Sequence, residues 1–188
     1  MGEGVRSLVY GLQFTVKKIK RFTVFSLRSK KINKMTIEQK INFLEIEFIE
    51  FLKTLESNAK GKWGVMNAQQ MVEHMSYSLR DANGKSLKRI VTPLEHLPKY
   101  KEFAMSDKPF KENTKNIELP ETAIPVKHSS MQNAIDEMKA EWIDFKKAFE
   151  GNPTKTITNP FFGDLNFEEW VLLHYKHILH HARQFGLI

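Results

Sequence analysis

Apolar residues recur at steps of three and four in four separate stretches of this 188-residue chain. That spacing places them along one face of an α-helix, as expected for helices that bury one side against their neighbours. No two stretches alternate between polar and apolar residues in a way that indicates paired β-strands. The pattern therefore predicts an all-α fold in which four amphipathic helices pack as a bundle.

Capping signals set the bounds of these helices. Three of them begin at a side chain that can accept from the first free backbone N–H groups, with Gln or Glu three positions later. The three pairs are Thr36 with Gln39, Asn67 with Gln70, and Asn166 with Glu169. Glycines that can end a helix follow at Gly84, Gly151 and Gly186. The predicted helices cover residues 36–58, 67–83, 130–150 and 166–185.

The long irregular connection between helices 2 and 3, residues 85–128, contains five prolines. Proline interrupts helices, so we expect one short helix over residues 86–97 and loop elsewhere. A connection of this length in a small domain is either a cover over a functional site or a sign of a missed element. We favour the cover, and expect residues 85–128 to shape a substrate pocket.

Charge is distributed unevenly along the chain. Residues 1–34 contain nine of the 29 Lys and Arg residues and one of the 22 acidic residues, so they hold a net charge of +8. The remainder has a net charge of −1, which gives no reason to expect a nucleic-acid partner. We interpret residues 1–34 as a basic N-terminal extension outside the fold, and residues 35–188 as the folded domain. A signal peptide, a transit peptide and a basic arm for nucleic acid or acidic lipid are the alternatives.

The chain has no cysteine, so any metal site must use histidine, carboxylate or water. No apolar run approaches the length of a membrane-spanning helix. We expect a cytoplasmic protein.

The last predicted helix contains four of the seven histidines. At about 100° per residue, Glu169, Lys176 and Arg183 fall on one line, which predicts the side that faces solvent. Four residues opposite that line are expected to face the core: Val171, Tyr175, Ile178 and Ala182. A third flank has no permanent charge and should be at least partly buried; it holds Trp170, His174, His177, His181 and Gln184.

His177 and His181 are four residues apart, so both rings can reach one ion. Neutral imidazole binds zinc, nickel and iron. A packed, hydrogen-bonded pair without metal is the alternative. His74, on the second helix, is either part of an exposed polar face or a third ligand that crosses the bundle. His96 and His128 are expected at the surface.

Several segments resemble the DinB-like (YfiT-like) superfamily, and in particular a branch described only as a domain of unknown function. They are residues 63–74 (WGVMNAQQMVEH), 159–165 (NPFFGDL), Trp170, and 177–186 (HILHHARQFG). The resemblance covers roughly residues 36–188. It implies a four-helix bundle of DinB-like type with a metal site formed by His74, His177 and His181. Members of the superfamily include metal-dependent thiol transferases, a thiol-dependent isomerase and proteins labelled as hydrolases.

Three imidazoles on a divalent metal, zinc first with nickel or iron as alternatives, leave one coordination position open. That position could activate water for hydrolysis or hold a low-molecular-weight thiol for transfer to a small-molecule substrate. We expect His174 or Gln184 to orient the ligands. No catalytic base is evident, and Glu73 and Asp81 are weak candidates. The alternatives are a metal- or ligand-binding bundle without catalysis, and a nucleic-acid- or membrane-associated module that acts through the basic residues 1–34. A homodimer is a candidate assembly.

Overall fold

The computed structural model describes residues 35–114, 116–152 and 154–188. The predicted basic extension, residues 1–34, lies outside this part of the chain. The described residues are mostly helical, and Thr36–Ile188 forms one compact unit. The described ranges contain five helices: α1 (37–52), α2 (Ala68–Ala82), α3 (Leu97–Met105), α4 (Met131–Phe149) and α5 (Phe167–Gln184). Two short strands, β1 (Ile157–Asn159) and β2 (Gly163–Leu165), precede α5.

The predicted capping pairs are confirmed at the starts of α1, α2 and α5. In each, the first residue accepts from a backbone N–H three positions later, and that later side chain accepts from the first residue's N–H. In α2, for example, Asn67 Oδ1 lies 2.8 Å from Gln70 N, and Gln70 Oε1 lies 2.9 Å from Asn67 N. These bonds satisfy backbone donors that the helix itself cannot satisfy.

Helix α1 is shorter than predicted and is not a regular α-helix throughout. Its α-helical ends, Ile37–Asn42 and Phe48–Leu52, flank a π-helical segment, Phe43–Glu47. It ends at Leu52 rather than near Asn58, because the backbone N–H groups of Thr54 and Leu55 donate to carbonyls three residues earlier instead of four. Thr54 reinforces this tighter turn by donating its hydroxyl to Phe51 O at 2.7 Å.

The core forms where α2 packs chiefly against α4, and α1 against α5. The apolar stripes predicted from spacing supply its side chains, and the four residues expected to face the core on α5 are buried. The largest fully buried residues include Leu44, Phe48, Met71, Met75, Met138, Phe145, Trp170 and Ile178.

The prediction of a helix over residues 86–97 was wrong, and the helix of the connection is α3, Leu97–Met105. A helix over 86–97 would place Pro93 in its interior, where it lacks an N–H donor and clashes with the preceding turn. Instead Pro93 precedes a 3-10 turn, Leu94–His96, and Pro98 lies in the first turn of α3, where proline is tolerated.

The predicted solvent-facing line of α5 is partly covered by α3. Lys101 of α3 pairs with Glu169 at 2.8 Å. Lys176 is only 7% exposed, and its ammonium donates to the backbone carbonyl of Phe103 at the end of α3. The prediction that Lys176 faces solvent was therefore wrong, because α3 packs against the side of α5 on which the three charged residues lie.

The prediction that no strands pair was also wrong. Strands β1 and β2 are antiparallel, with Ile157 opposite Leu165 and Asn159 opposite Gly163. Asn159 Oδ1 accepts from Phe161 N and Phe162 N and so shapes the turn. The hairpin attaches to α5 through Trp170, whose indole N–H donates to Ile157 O at 3.1 Å. Strands of three residues are too short to show a period of two.

Candidate metal centre

Three imidazoles from two helices lie close together. His74 is on α2, and His177 and His181 are on successive turns of α5. The Nε2 atom of His177 lies 3.0 Å from Nε2 of His74 and 3.0 Å from Nε2 of His181. One nitrogen of each ring lies within 4.8 Å of the others, so the three histidines could hold a metal ion.

These spacings can be compared with those of a metal complex. Zinc–nitrogen bonds are about 2.0–2.1 Å, which places two nitrogens about 3.3 Å apart at tetrahedral angles and about 2.9 Å apart at right angles. Both measured distances of 3.0 Å lie within that range. His177, which is close to both partners, therefore needs little rearrangement to share an ion with either.

The surroundings favour the neutral form of all three rings. The pKa of His74 is lowered to about 4, first by burial and then by the nearby His180. Burial also holds the pKa values of His177 and His181 well below the usual value, and the neighbouring imidazoles lower them further. Each ring therefore presents a lone pair at neutral pH, as a metal ligand must.

Neutral rings at these distances cannot all be satisfied by hydrogen bonds among themselves. A neutral imidazole has one N–H, and His177 Nε2 contacts two other ring nitrogens. If it carries a proton, that proton can point at only one of them. If it does not, at most one neighbour donates to its single lone pair. A cation at the centre would satisfy all three lone pairs at once.

Of the two residues expected to orient the ligands, Gln184 contacts the cluster. Its Oε1 lies 2.8 Å from Nδ1 of His181, and its Nε2 donates to the carbonyl of Trp63 at 2.7 Å. Gln184 was selected from the sequence only because it shares the uncharged flank of α5. Its link to Trp63 spans 121 residues and has no signal in the sequence.

His174 does not bond to the cluster. It is fully buried, stacks on Trp170 and contacts Trp142 edge-on, with ring centroids 5.4 Å away in both cases. Among the described residues, neither of its ring nitrogens has a hydrogen-bond partner. Burial lowers its pKa to about 3. The expectation that it orients a ligand is not supported by a hydrogen bond.

The two weak candidates for a general base have other contacts. Glu73 accepts from the backbone N–H groups of Lys127 (2.7 Å) and His128 (3.0 Å), so it fixes the segment before α4. Asp81 pairs with Lys88 at 3.4 Å.

The two histidines expected at the surface differ. His96 is exposed as expected. His128 is partly exposed, and its Nε2 lies 2.7 Å from Glu137 Oε2. Glu137, the seventh residue of α4, provides the partner that the sequence pattern did not reveal.

Aromatic rings that were not singled out from the sequence border the cluster. Phe110, in the connection between α3 and α4, has its ring centroid 6.3 Å from that of His177 and 6.1 Å from that of His180. Trp63 lies 5.8 Å from His180 on the same measure. His74 and His177 remain partly exposed. The connection thus reaches the cluster through Phe110, as expected for a segment that shapes a site.

No family model, curated protein or solved structure matches this chain. Assignment of the site therefore rests on its own geometry. Among the described residues, no helix combines the length and the apolar character required to cross a membrane.

Proposed function

We propose that this protein is a divalent-metal enzyme of DinB-like type that hydrolyses a small molecule or transfers a thiol to it. The observation that supports this most is the approach of His74 and His181 to His177, with Nε2 atoms 3.0 Å away in each case. The resemblance of residues 63–74 and 177–186 to that superfamily suggested the same three ligands. Helices α1, α2, α4 and α5 would form its four-helix bundle.

His74, His177 and His181 would hold the ion, with zinc first and nickel or iron as alternatives. A divalent cation held by these three neutral imidazoles would supply a position for a water or thiol ligand and would lower the pKa of that ligand. The partly exposed sides of His74 and His177 leave a route for a small molecule. Because the chain has no cysteine, a reacting thiol would come from outside.

A metal- or ligand-binding protein without catalysis is the second candidate. The observation that favours it is the engagement of Glu73 and Asp81 elsewhere, which leaves both proposed carboxylate bases away from the three imidazoles. The two candidates share the metal centre and differ only in turnover.

The metal centre that both candidates share is tested by the metal content of the full-length protein, purified without added metal and then loaded with zinc. We expect about one ion per chain in the wild type and a loss of most of it in His74→Ala and His177→Ala. His96→Ala, at an exposed histidine, is the matched control. Unchanged stoichiometry in His177→Ala would contradict the site. Screens of the loaded protein with simple esters, and with thiols plus electrophiles, separate catalyst from binder.

A further inference from the structure

We propose that Gln184 is a positioning residue that fixes the tautomer of the His181 ring, and that the loop of residues 61–64 fixes Gln184. The tautomer can be tested in metal-free protein, whereas its consequence for metal affinity rests on the proposed function. In this arrangement the chain orients one ligand before a cation binds.

Trp63 determines which way the Gln184 amide points. The Trp63 carbonyl oxygen can only accept a hydrogen bond, so the amide group 2.7 Å away must be the NH₂ of Gln184. The amide oxygen then faces His181 Nδ1 at 2.8 Å. Since that oxygen can only accept, Nδ1 must carry the proton of the neutral ring.

This assignment leaves a lone pair on the nitrogen of His181 that faces the cluster. Its Nε2, 3.0 Å from His177 Nε2, is then unprotonated. A neutral imidazole with the opposite tautomer would direct an N–H at the same point and would have to rearrange before binding a cation. The hydrogen bond to Nδ1 also fixes the ring orientation.

The loop of residues 61–64 packs closely against the Gln184 side chain and restricts its conformation. A Cβ atom at Gly61 would lie 2.8 Å from Gln184 Cγ, and one at Gly64 would lie 2.7 Å from Gln184 Nε2. Gly64 also has a φ of +76°, which favours glycine. Lys62 N donates to the backbone carbonyl of Gln184 at 2.7 Å. Gln184 is only 3% exposed, so a reversed amide would bury its oxygen against the carbonyl oxygen of Trp63, which is a repulsive contact.

The same loop joins the helices that provide the ligands. A bridge between Lys60 and Asn67 closes it, and Asn67 is the N-cap of α2, which contains His74. Its contacts with Gln184 reach the last residue of α5, which contains His177 and His181. The loop is therefore placed to fix the end of one ligand helix against the start of the other.

Long-range ¹H–¹⁵N correlation spectra of the histidine rings, on the full-length protein treated with chelator at pH 7.5, test the tautomer directly. Signals of His181 are assigned by comparison with His181→Ala. We expect the proton on Nδ1 in the wild type and a substantial Nε2–H population in Gln184→Leu. Gln132→Leu, the same change at an exposed glutamine of α4, should match the wild type. A wild-type His181 protonated on Nε2 would overturn the proposal even if Gln184→Leu does not fold.

Zinc affinity, measured by competition with a chelator, provides the second readout. We expect Gln184→Leu to bind zinc about 10–100-fold more weakly than the wild type. Gly64→Ala should show a similar loss, because its methyl group would displace the Gln184 amide. Gly151→Ala is its matched control, since Gly151 has a similar φ of +70° but nothing within 4 Å of an added Cβ. Its affinity should stay within about twofold of the wild type.

The outcomes separate this proposal from the proposed function. A tautomer that depends on Gln184, in a protein that binds no zinc, would support the positioning role and contradict the metal centre. Tight zinc binding with the same His181 tautomer in the wild type and Gln184→Leu would overturn the positioning role and leave the metal centre in place.

Discussion

The Nε2 atom of His74 lies 3.0 Å from Nε2 of His177, although 103 residues separate them in the sequence. His74 is on α2, which packs chiefly on α4, whereas His177 is on α5, which packs on α1. The two histidines therefore meet where one helix pair approaches the other. An ion bound there would cross-link the two pairs and would have to raise the stability of the folded state.

The first prediction is that zinc stabilises the folded protein. A ligand that binds only the folded state adds about 2.7 kcal/mol at a hundredfold excess over its Kd. For a domain of this size, that corresponds to a rise in Tm of roughly 5–10 °C. Thermal unfolding of the full-length protein with zinc and with chelator measures it.

The His177→Ala variant should show almost none of this rise, while His96→Ala should keep it. Equal rises in His177→Ala and the wild type would place the bound zinc elsewhere on the chain.

The sequence predicts a structural feature well where the residues that cause it lie close together in the chain. The capping pairs at Thr36, Asn67 and Asn166 are local and were predicted correctly. The resemblance of residues 63–74 and 177–186 implied His74 as a ligand, whereas helix rotation inferred from the apolar faces left it either exposed or a third ligand. Gln184 could be placed on the right flank by the same reasoning, but its partner Trp63 could not.

The errors arose where one element covers another. Lys176 has the sequence pattern of an exposed residue, and only the position of α3 makes it buried. That position was not predictable because α3 lies in a proline-rich segment with no clear apolar stripe. The strands β1 and β2 depend on a turn shaped by Asn159, and three residues are too few for a periodic signal.

The second prediction concerns pH and metal affinity. Protons compete with a metal for imidazole only below the pKa of the ring in the folded protein. Because the pKa of His74 is lowered to about 4, and those of His177 and His181 are also lowered, zinc affinity should change less than about threefold between pH 7.5 and 5.5. Isothermal titration at several pH values measures it. Three rings with an ordinary pKa near 6.5 would instead lose about tenfold each at pH 5.5.

The third prediction is that His174 makes the protein acid-sensitive. Its pKa is about 3 in the folded protein because of burial, against an ordinary value of 6.5, so unfolding takes up a proton at low pH. Above about pH 6.5 the ring is neutral in both states, so its burial does not change the free energy of unfolding with pH. Below pH 6.5 the free energy of unfolding decreases by about 1.4 kcal/mol per pH unit. In His174→Leu we expect a stability at pH 7.5 within about 1 kcal/mol of the wild type, since a buried group without hydrogen bonds is removed.

Urea unfolding of metal-free protein at pH 7.5 and 5.5 checks this. Between those values the wild type should lose about 1.4 kcal/mol more than His174→Leu. His96→Leu, the same change at an exposed histidine, is the matched control and should follow the wild type. Parallel losses in the wild type and His174→Leu would contradict the buried neutral ring.

The fourth prediction concerns the buried ammonium of Lys176, which donates to Phe103 O and lies 4.2 Å above the Phe103 ring. Burial lowers its pKa to about 8 from an ordinary 10.5, although Asp107 opposes the change. Above pH 8 the folded protein releases this proton while the unfolded chain keeps it, so the group's contribution to stability rises up to about pH 10.5. From pH 8 to pH 10 the wild type should therefore gain roughly 1–2 kcal/mol relative to Lys176→Met, which keeps the packing of the side chain but has no proton to lose.

Urea unfolding across this range measures the difference, with Lys99→Met on the exposed side of α3 as the matched control. If Lys176→Met followed the same pH dependence as the wild type, the ammonium would have to be solvated, and α3 could not cover that line of α5.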